Sequence, residues 1–519
     1  MKRILLATAA TLMALAGQAA SAQELTAERI DEAARQAVDS FNVTGMAVTV
    51  VSGDDVILTR TYGVRDVRDP DTAVNTDTLF PFASIGKAFT TTALAMLVDE
   101  GRVDWDAPVR DYIPEFAMSD PYITAEFSVR DLVTHRSGLP LGAGDLLVFP
   151  DGKPEVSDIL AAIRHIPPAT SFRSEYAYDN LMYIIAGEVV ARVEGEAWAD
   201  VLDARIFDPL AMDSCEARPS VAAADDNTIT QHSRPPGVAD AAPIDPRYII
   251  GDSTSPAGGI SCSIDDLSIW AQFWLNEGIA EDGTRLLSEA QVNELWTGVT
   301  PQGVSPLLQQ LGGTHFSLYG LGWTLRDFHG QLMVGHSGGL LGASSYFGLL
   351  PEEDIAVFVS SNVSTYASSA LALQLLAEAA AGDEAADWIG VLHGVYTRSQ
   401  EMAVQDSGAG DQPDVAIEPV RDLTAYTGIY MDPWYGAVSI EMRNGGLFID
   451  MSRSEVLDAP LVPVAPDRFV ARWPDRSLNA DAYADFIIVD GQVTGMTMEP
   501  VSDTTDFSFD FGDLHFTKQ

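Results

Sequence analysis

The chain has 519 residues, 46% of them hydrophobic and 9% aromatic, enough for a large core and, by length, for more than one domain. Its 75 acidic residues outweigh 30 basic ones to give a net charge of −45 at pH 7, which argues against nucleic acid and anionic membrane as partners and fits a surface built for solubility or for salt. Two cysteines exclude a disulfide framework, and the eight histidines include no H-E-x-x-H, so a mechanism without metal or other cofactor is expected.

Met1-Lys2-Arg3, an apolar run from Ile4 to Ala16 and the small residues Ala20-Ser21-Ala22 make the pattern of a secretory signal over residues 1–22. Cleavage is expected after Ala22 and the location is expected to be periplasmic or secreted. No later stretch approaches the roughly 20 apolar residues of a membrane helix, so stable membrane insertion is not expected. Residues 46–58 then read as two strands around a turn at Ser52-Gly53-Asp54-Asp55.

Lysine is scarce, with only Lys2, Lys87, Lys153 and Lys518 in the chain. Lys87 completes the one S-x-x-K, Ser84-Ile85-Gly86-Lys87, and the helical spacing of residues 88–100 puts that tetrad at a helix entrance. A serine hydroxyl is a poor nucleophile until a base takes its proton. Lysine can become that base when burial and a helix N-terminus lower its pKa, whereas arginine cannot lose its proton.

Helical spacing continues over 129–134, 156–165 and 181–193, the last opened by Tyr178-Asp179-Asn180. There the Tyr178 hydroxyl is suited to relay a proton between Ser84 and Lys87, and the Asn180 amide to hold a substrate carbonyl. A further helix is expected over 264–274. Strand patterns at 331–335, 344–350 and 355–360 flank Gly335-His336-Ser337-Gly338-Gly339, whose glycines would let a substrate lie along a strand, with the Gly339 and Ser84 N–H groups as an oxyanion hole. The same pentapeptide fits the G-x-S-x-G elbow, which would make Ser337 the nucleophile instead, but an elbow needs a helix after the strand. A helix over 367–381 closes this region.

Residues 383–422 read as a helix and a linker containing the turn-rich SGAGDQPD at 407–414. From Leu423 the texture becomes short alternating strands separated by Asn444-Gly445-Gly446 and Asp490-Gly491, a small all-β barrel.

In order, Phe82-Ala83-Ser84-Ile85-Gly86-Lys87, Tyr178-Asp179-Asn180 and His336-Ser337-Gly338 resemble the three motifs of the serine β-lactamase and penicillin-binding-protein superfamily. Leu132-Val133-Thr134-His135-Arg136-Ser137-Gly138-Leu139-Pro140, Pro256-Ala257-Gly258-Gly259 and Tyr319-Gly320-Leu321-Gly322-Trp323 look like its class C β-lactamase, D-peptidase and esterase branch. Tyr426-Thr427-Gly428-Ile429-Tyr430 resembles the lipocalin-like barrel appended to some members.

The resemblance implies an α+β (mixed α/β) domain over 23–382, an antiparallel sheet flanked by helices with a helical subdomain, and a β-barrel over 423–519. It implies an acyl-enzyme on Ser84, proton transfer by Lys87 and Tyr178, and substrate binding by Asn180, His336, Ser337 and Gly338. Two departures stand out: His336 replaces the usual lysine and Asp179 the usual small residue, which puts capture of a substrate carboxylate, and so β-lactam hydrolysis, in doubt. The expected substrate is a small, D-residue-containing or otherwise unusual peptide, such as a linearised cyclic one. An esterase or weak β-lactamase, and a penicillin-binding or peptidoglycan-sensing protein with little turnover, are the alternatives. A homo-oligomer through the barrel is compatible with the sequence.

Overall fold

A computed structural model describes residues 25–408 and 417–519; the signal read over 1–22 and most of the turn-rich stretch 407–414 lie outside them. Nine antiparallel strands form the main sheet: β1 (Gly45–Ser52), β2 (Asp55–Asp66), β3 (Asp69–Ala73), β4 (Thr300–Gln302), β5 (Ser317–Tyr319), β6 (Thr324–Phe328), β7 (Gln331–Leu340), β8 (Ala343–Leu350) and β9 (Ile355–Ser361). Their order is 3-2-1-9-8-7-6-5-4, so the first and last thirds of this domain meet at the β1–β9 pair, with Met46 opposite Ser361.

Strand β1 reads GMAVTVVS because both its faces are covered. Met46, Val48 and Val50 face one apolar cluster and Ala47 and Val51 the other. Helices α1 (Ala27–Phe41), α5 (Ala367–Ala381) and α6 (Trp388–Gly408) pack on the first side. Helix α4 (Ile264–Leu275) packs on the second, next to the region that holds α2 (Lys87–Asp99) and α3 (Asn180–Glu194). Helix α5 matches its expected span. It is apolar nearly all round because the sheet covers one flank and α1 and α6 the others.

Helix α1 was not expected from the sequence. Its buried Ile30, Ala33, Ala34, Ala37 and Phe41 fall at helical spacing, Thr26 caps it by accepting from the Arg29 N–H at 3.2 Å, and left-handed Asn42 ends it. Cys215 and Cys262 are joined in a disulfide. Among the described residues no helix is long and apolar enough to cross a membrane.

Eight further strands close an antiparallel barrel: β10 (Gly428–Asp432), β11 (Gly436–Arg443), β12 (Gly446–Met451), β13 (Asp458–Ala465), β14 (Arg468–Ala471), β15 (Ala482–Val489), β16 (Gln492–Pro500) and β17 (His515–Lys518). Closure through β10 and β17 leaves no free edge. Tyr426, Tyr430, Phe469 and Phe486 pack against one another inside it. The barrel docks on the main domain through polar contacts as well as apolar ones. The Tyr248 hydroxyl donates to Asp475 at 2.6 Å, and the Glu455 N–H donates to Asp151 at 3.1 Å.

Candidate active site

Ser84 sits in a 3-10 turn, Ala83–Gly86, that runs straight into α2. Ala83 is held at φ +55°, a left-handed conformation that costs energy for a residue with a side chain and that tight packing sustains here. Part of the packing is β7: a Cβ on Gly338 would meet the Phe82 carbonyl oxygen at 2.1 Å, so only glycine lets this strand lie against the serine turn.

Lys87 has no exposed surface. Its Nζ lies 3.1 Å from Ser84 Oγ, 2.8 Å from Asn180 Oδ1 and 2.6 Å from the Ala257 carbonyl. Burial pushes its pKa down to about 7, although the Asp145 and Asp179 carboxyls pull the other way. An amine with that pKa is neutral in a large fraction of molecules near neutral pH. It is therefore able to accept the serine proton.

Tyr178 and Asn180 enter from the start of α3, whose N-cap Asp179 accepts from the Met182 N–H. Lys87 Nζ lies 4.8 Å from the centre of the Tyr178 ring. Burial holds the Tyr178 phenol well above its usual pKa, and an interaction with Ser84 works against this without reversing it, so Tyr178 remains a hydrogen-bond donor. Asn180 spends its carbonyl oxygen on Lys87 and donates from Nδ2 to Asp145 at 2.9 Å, which leaves its second amide hydrogen for a substrate.

The Tyr178 segment is aligned by a second loop. Ala177 N–H donates to the His135 carbonyl at 3.0 Å and Arg173 N–H to the Arg136 carbonyl at 2.9 Å. His135 Nδ1 accepts from the Asp179 N–H at 3.1 Å, and its ring centre is 4.2 Å from that of Tyr178. Both loops are tied to the buried Asp131 carboxylate, which receives Arg136 Nε and Arg173 Nε at 2.9 Å each and the Ser128 N–H at 2.9 Å.

Strand β6 pairs with β7 only as far as Gly335, so from His336 to Leu340 β7 keeps β8 alone and its other edge opens on the cleft. Ser337 and Gly339 are exposed on it, and Gly339 lines the cleft with Ser84. Ser337 lies in mid-strand and the next element is β8, not a helix, so the nucleophile elbow is ruled out. His336 is buried, which pushes its pKa to about 3, helped by the nearby Lys87. It is a neutral imidazole, with Nδ1 2.6 Å from the Ser337 carbonyl and Nε2 3.2 Å from the Tyr319 hydroxyl.

The barrel borders the site, and two further features, Asp145 and Arg326, were not foreseen. The cleft, about 930 Å³, is walled on one side by the barrel through Phe507 and Ser508, and the Phe507 ring stands edge-on to Tyr178 at 5.8 Å. Asp145 is fully buried beside the site, and burial together with Asp179 holds its carboxyl well above the usual range. Arg326 of β6 lines the cleft half-buried, with no hydrogen-bond or ion-pair partner among the described residues. An unpaired arginine is conspicuous in so acidic a chain, yet nothing in its local sequence marks it.

A protein-family model described as Beta-lactamase matches residues 30–381, and a domain of unknown function, DUF3471, matches residues 412–518. The chain is 30% identical over 517 residues to a protein of Aspergillus campestris named Unguisins hydrolase ungD', covering 93% of this chain and 92% of that one. Its fold is similar to the octameric penicillin-binding protein homologue from Pyrococcus abyssi, with a TM-score of 0.60 and 19% identity over 95% of this chain and all of the other. It is similar also to a D-stereospecific amidohydrolase from Streptomyces sp., with a TM-score of 0.51 and 24% identity over 64% of this chain and 94% of the other. The strand order, the site and the match over residues 30–381 together make this chain a member of the Beta-lactamase family and a serine hydrolase.

Proposed function

We propose that Ser84 is the acylating nucleophile of an exported peptidase for small, D-residue-containing or otherwise unusual peptides. The observation that carries this reading is the buried Lys87 amine, 3.1 Å from Ser84 Oγ with a pKa near 7. In the first step the Ser84 proton passes to Lys87 Nζ as Oγ bonds to the substrate carbonyl carbon, and the oxyanion is held by the N–H groups of Ser84 and Gly339. Collapse breaks the C–N bond, and the leaving amine takes a proton through Tyr178. Water then repeats the sequence on the ester carbonyl, which frees the acid and restores Ser84.

Asn180, Ser337 and Gly338 hold the substrate backbone along the open edge of β7. His336, being neutral, shapes that edge without adding charge. The barrel wall restricts the cleft to short chains, the name of the similar Aspergillus protein supports a hydrolase, and that of the Streptomyces D-stereospecific amidohydrolase supports an amide substrate. Residues 1–22 direct export, 23–382 form the catalytic unit, and 383–422 lead to the barrel at 423–519. Self-association through the barrel belongs to the same reading, supported by the octameric Pyrococcus homologue.

Arg326 supplies the positive charge that His336 does not, and we assign it to a substrate carboxylate. Arg326→Gln is expected to raise KM roughly tenfold or more for peptides with a free C-terminal carboxylate, and to leave their amidated counterparts unchanged. Kinetics on matched acid and amide peptides, in L and D series and beside simple esters, test this. Equal losses on both peptide forms would reject the assignment, and faster turnover of esters than of every peptide would favour the esterase alternative.

A further inference from the structure

The barrel does more than wall the cleft. Its segment between β16 and β17 reaches the main domain at the loop Gly142–Leu147, where a Cβ on Gly142 would meet the Phe507 carbonyl oxygen at 2.7 Å. The buried Asp510 carboxyl accepts from the Gly144 N–H at 2.7 Å and from the Leu146 N–H at 3.1 Å, one oxygen each. Between these two contacts the Ser508 hydroxyl donates to Asp145 Oδ2 at 3.0 Å. That same oxygen receives Asn180 Nδ2 at 2.9 Å, and Asn180 Oδ1 receives Lys87 Nζ at 2.8 Å. An unbroken run of hydrogen bonds thus joins the barrel to the amine beside Ser84.

We propose that the barrel completes the catalytic centre, with Ser508 as a positioning residue that fixes Asp145 and, through it, the Asn180 amide that holds Lys87 against Ser84. From its own domain the Asp145 carboxyl receives one side-chain donor, on one oxygen. Its Oδ1 has no hydrogen-bond partner, and Asn180 is the other side chain that donates to it. The charged and titratable groups facing it are Lys87 of α2, Asp179 and Tyr178 at the start of α3, and Asp510 of the barrel. Lys87 is the one cation among them, so the hydroxyl of Ser508 is one of the few groups that favour the ionised carboxyl against its burial.

The sign of the effect follows from these contacts. Ser508 stabilises the Asp145 carboxylate, and that carboxylate favours the Lys87 ammonium. Without Ser508 the carboxyl is more readily neutral, the ammonium loses a partner, and the neutral amine persists to lower pH. At the same time Asn180 loses its fixed anchor and Lys87 its fixed place.

The inference rests on Ser84 and Lys87 acting as proposed above, so its test uses a small p-nitrophenyl ester that does not depend on the cleft wall. Ser508→Ala is expected to lower kcat roughly tenfold with KM little changed and to move the acidic limb of the kcat/KM profile to lower pH, while Ser508→Thr restores both. Melting curves check folding, and Ser508→Cys, similar in shape but a weak donor, replaces the alanine variant should that not fold. An unmoved acidic limb, or a change in KM alone, overturns the inference. Loss of turnover in Ser84→Ala alongside an unmoved limb in Ser508→Ala would reject this inference and leave the proposed function standing. Turnover that survives Ser84→Ala would reject the proposed function itself.

Discussion

Changing Ser84 to alanine is expected to reduce turnover by on the order of 10⁴-fold or more while leaving the melting curve in place, because in the proposed mechanism Ser84 Oγ forms the covalent bond and its removal empties little volume. Lys87→Arg is expected to lose about 10³-fold or more, since a guanidinium stays charged and cannot take the serine proton. The wild-type rate should climb as pH rises through about 7, where the buried Lys87 loses its proton. The direction follows from the proposed role: as the base, Lys87 acts in its neutral form, which accumulates above its pKa. A single-site kinetic comparison of the two variants with wild type, on one ester across pH 5–9, reads all three effects. Retention of turnover in Ser84→Ala, or a wild-type rate that falls as pH rises through 7, would remove the basis for assigning the base.

The largest effect on stability is expected away from the nucleophile, at Asp131. Its carboxylate has no exposed surface and is shared by Arg136, Arg173 and Ser128. Burial alone would raise its pKa, but the hydrogen bonds from Arg173 and Ser128 and the charge of Arg136 more than offset this and hold it below its usual value. Asp131→Asn should cost about 3 kcal/mol, the low end for breaking a buried ion pair, because both arginines are partly exposed and can rehydrate. The pH dependence has a definite sign. A depressed folded-state pKa contributes stability that is present above the unfolded value of about 4 and lost as pH falls through the folded value. Urea unfolding of wild type and variant at pH 7 and again at pH 3 should show the gap between them shrinking in acid. A gap that is absent at pH 7, or that widens in acid, would contradict the hub role.

Asp131 matters for the site because the loops it ties together carry His135 and Tyr178. The link from fold to chemistry runs through such contacts rather than through the motifs themselves. Ser84 and Lys87 are legible because one helical turn separates them, so their sequence spacing is also their spatial spacing. Tyr178-Asp179-Asn180 and the glycines of β7 are legible for a similar reason, since each is a short run whose residue types fit one local geometry. Helix α5 and strands β8 and β9 are dense in apolar residues, and their patterns gave their positions to within a residue or so.

What the sequence hid was long-range or chemically plain. Ser508 lies 363 residues from Asp145, and nothing near either residue announces the pairing. Arg326 carries no motif, and its significance comes from what does not surround it. Helix α1 had the capping threonine and the spacing of a helix, but three of its five buried positions are alanine, which left a weak apolar signal. Helix α6 read as the start of a connector. The structure shows its first turns packed against α1 and α5, with Trp388 and Ile389 buried.

The measurement that bears most directly on the central claim is intact-protein mass spectrometry after mixing the full-length enzyme with a fluorophosphonate, a penicillin, a p-nitrophenyl ester and D-aminoacyl amides, followed by digestion to locate the label. A single adduct on Ser84, absent from Ser84→Ala and slowed in Lys87→Arg, is the expected result. An adduct on Ser337 or elsewhere, or none on Ser84 with any acyl donor, would contradict it.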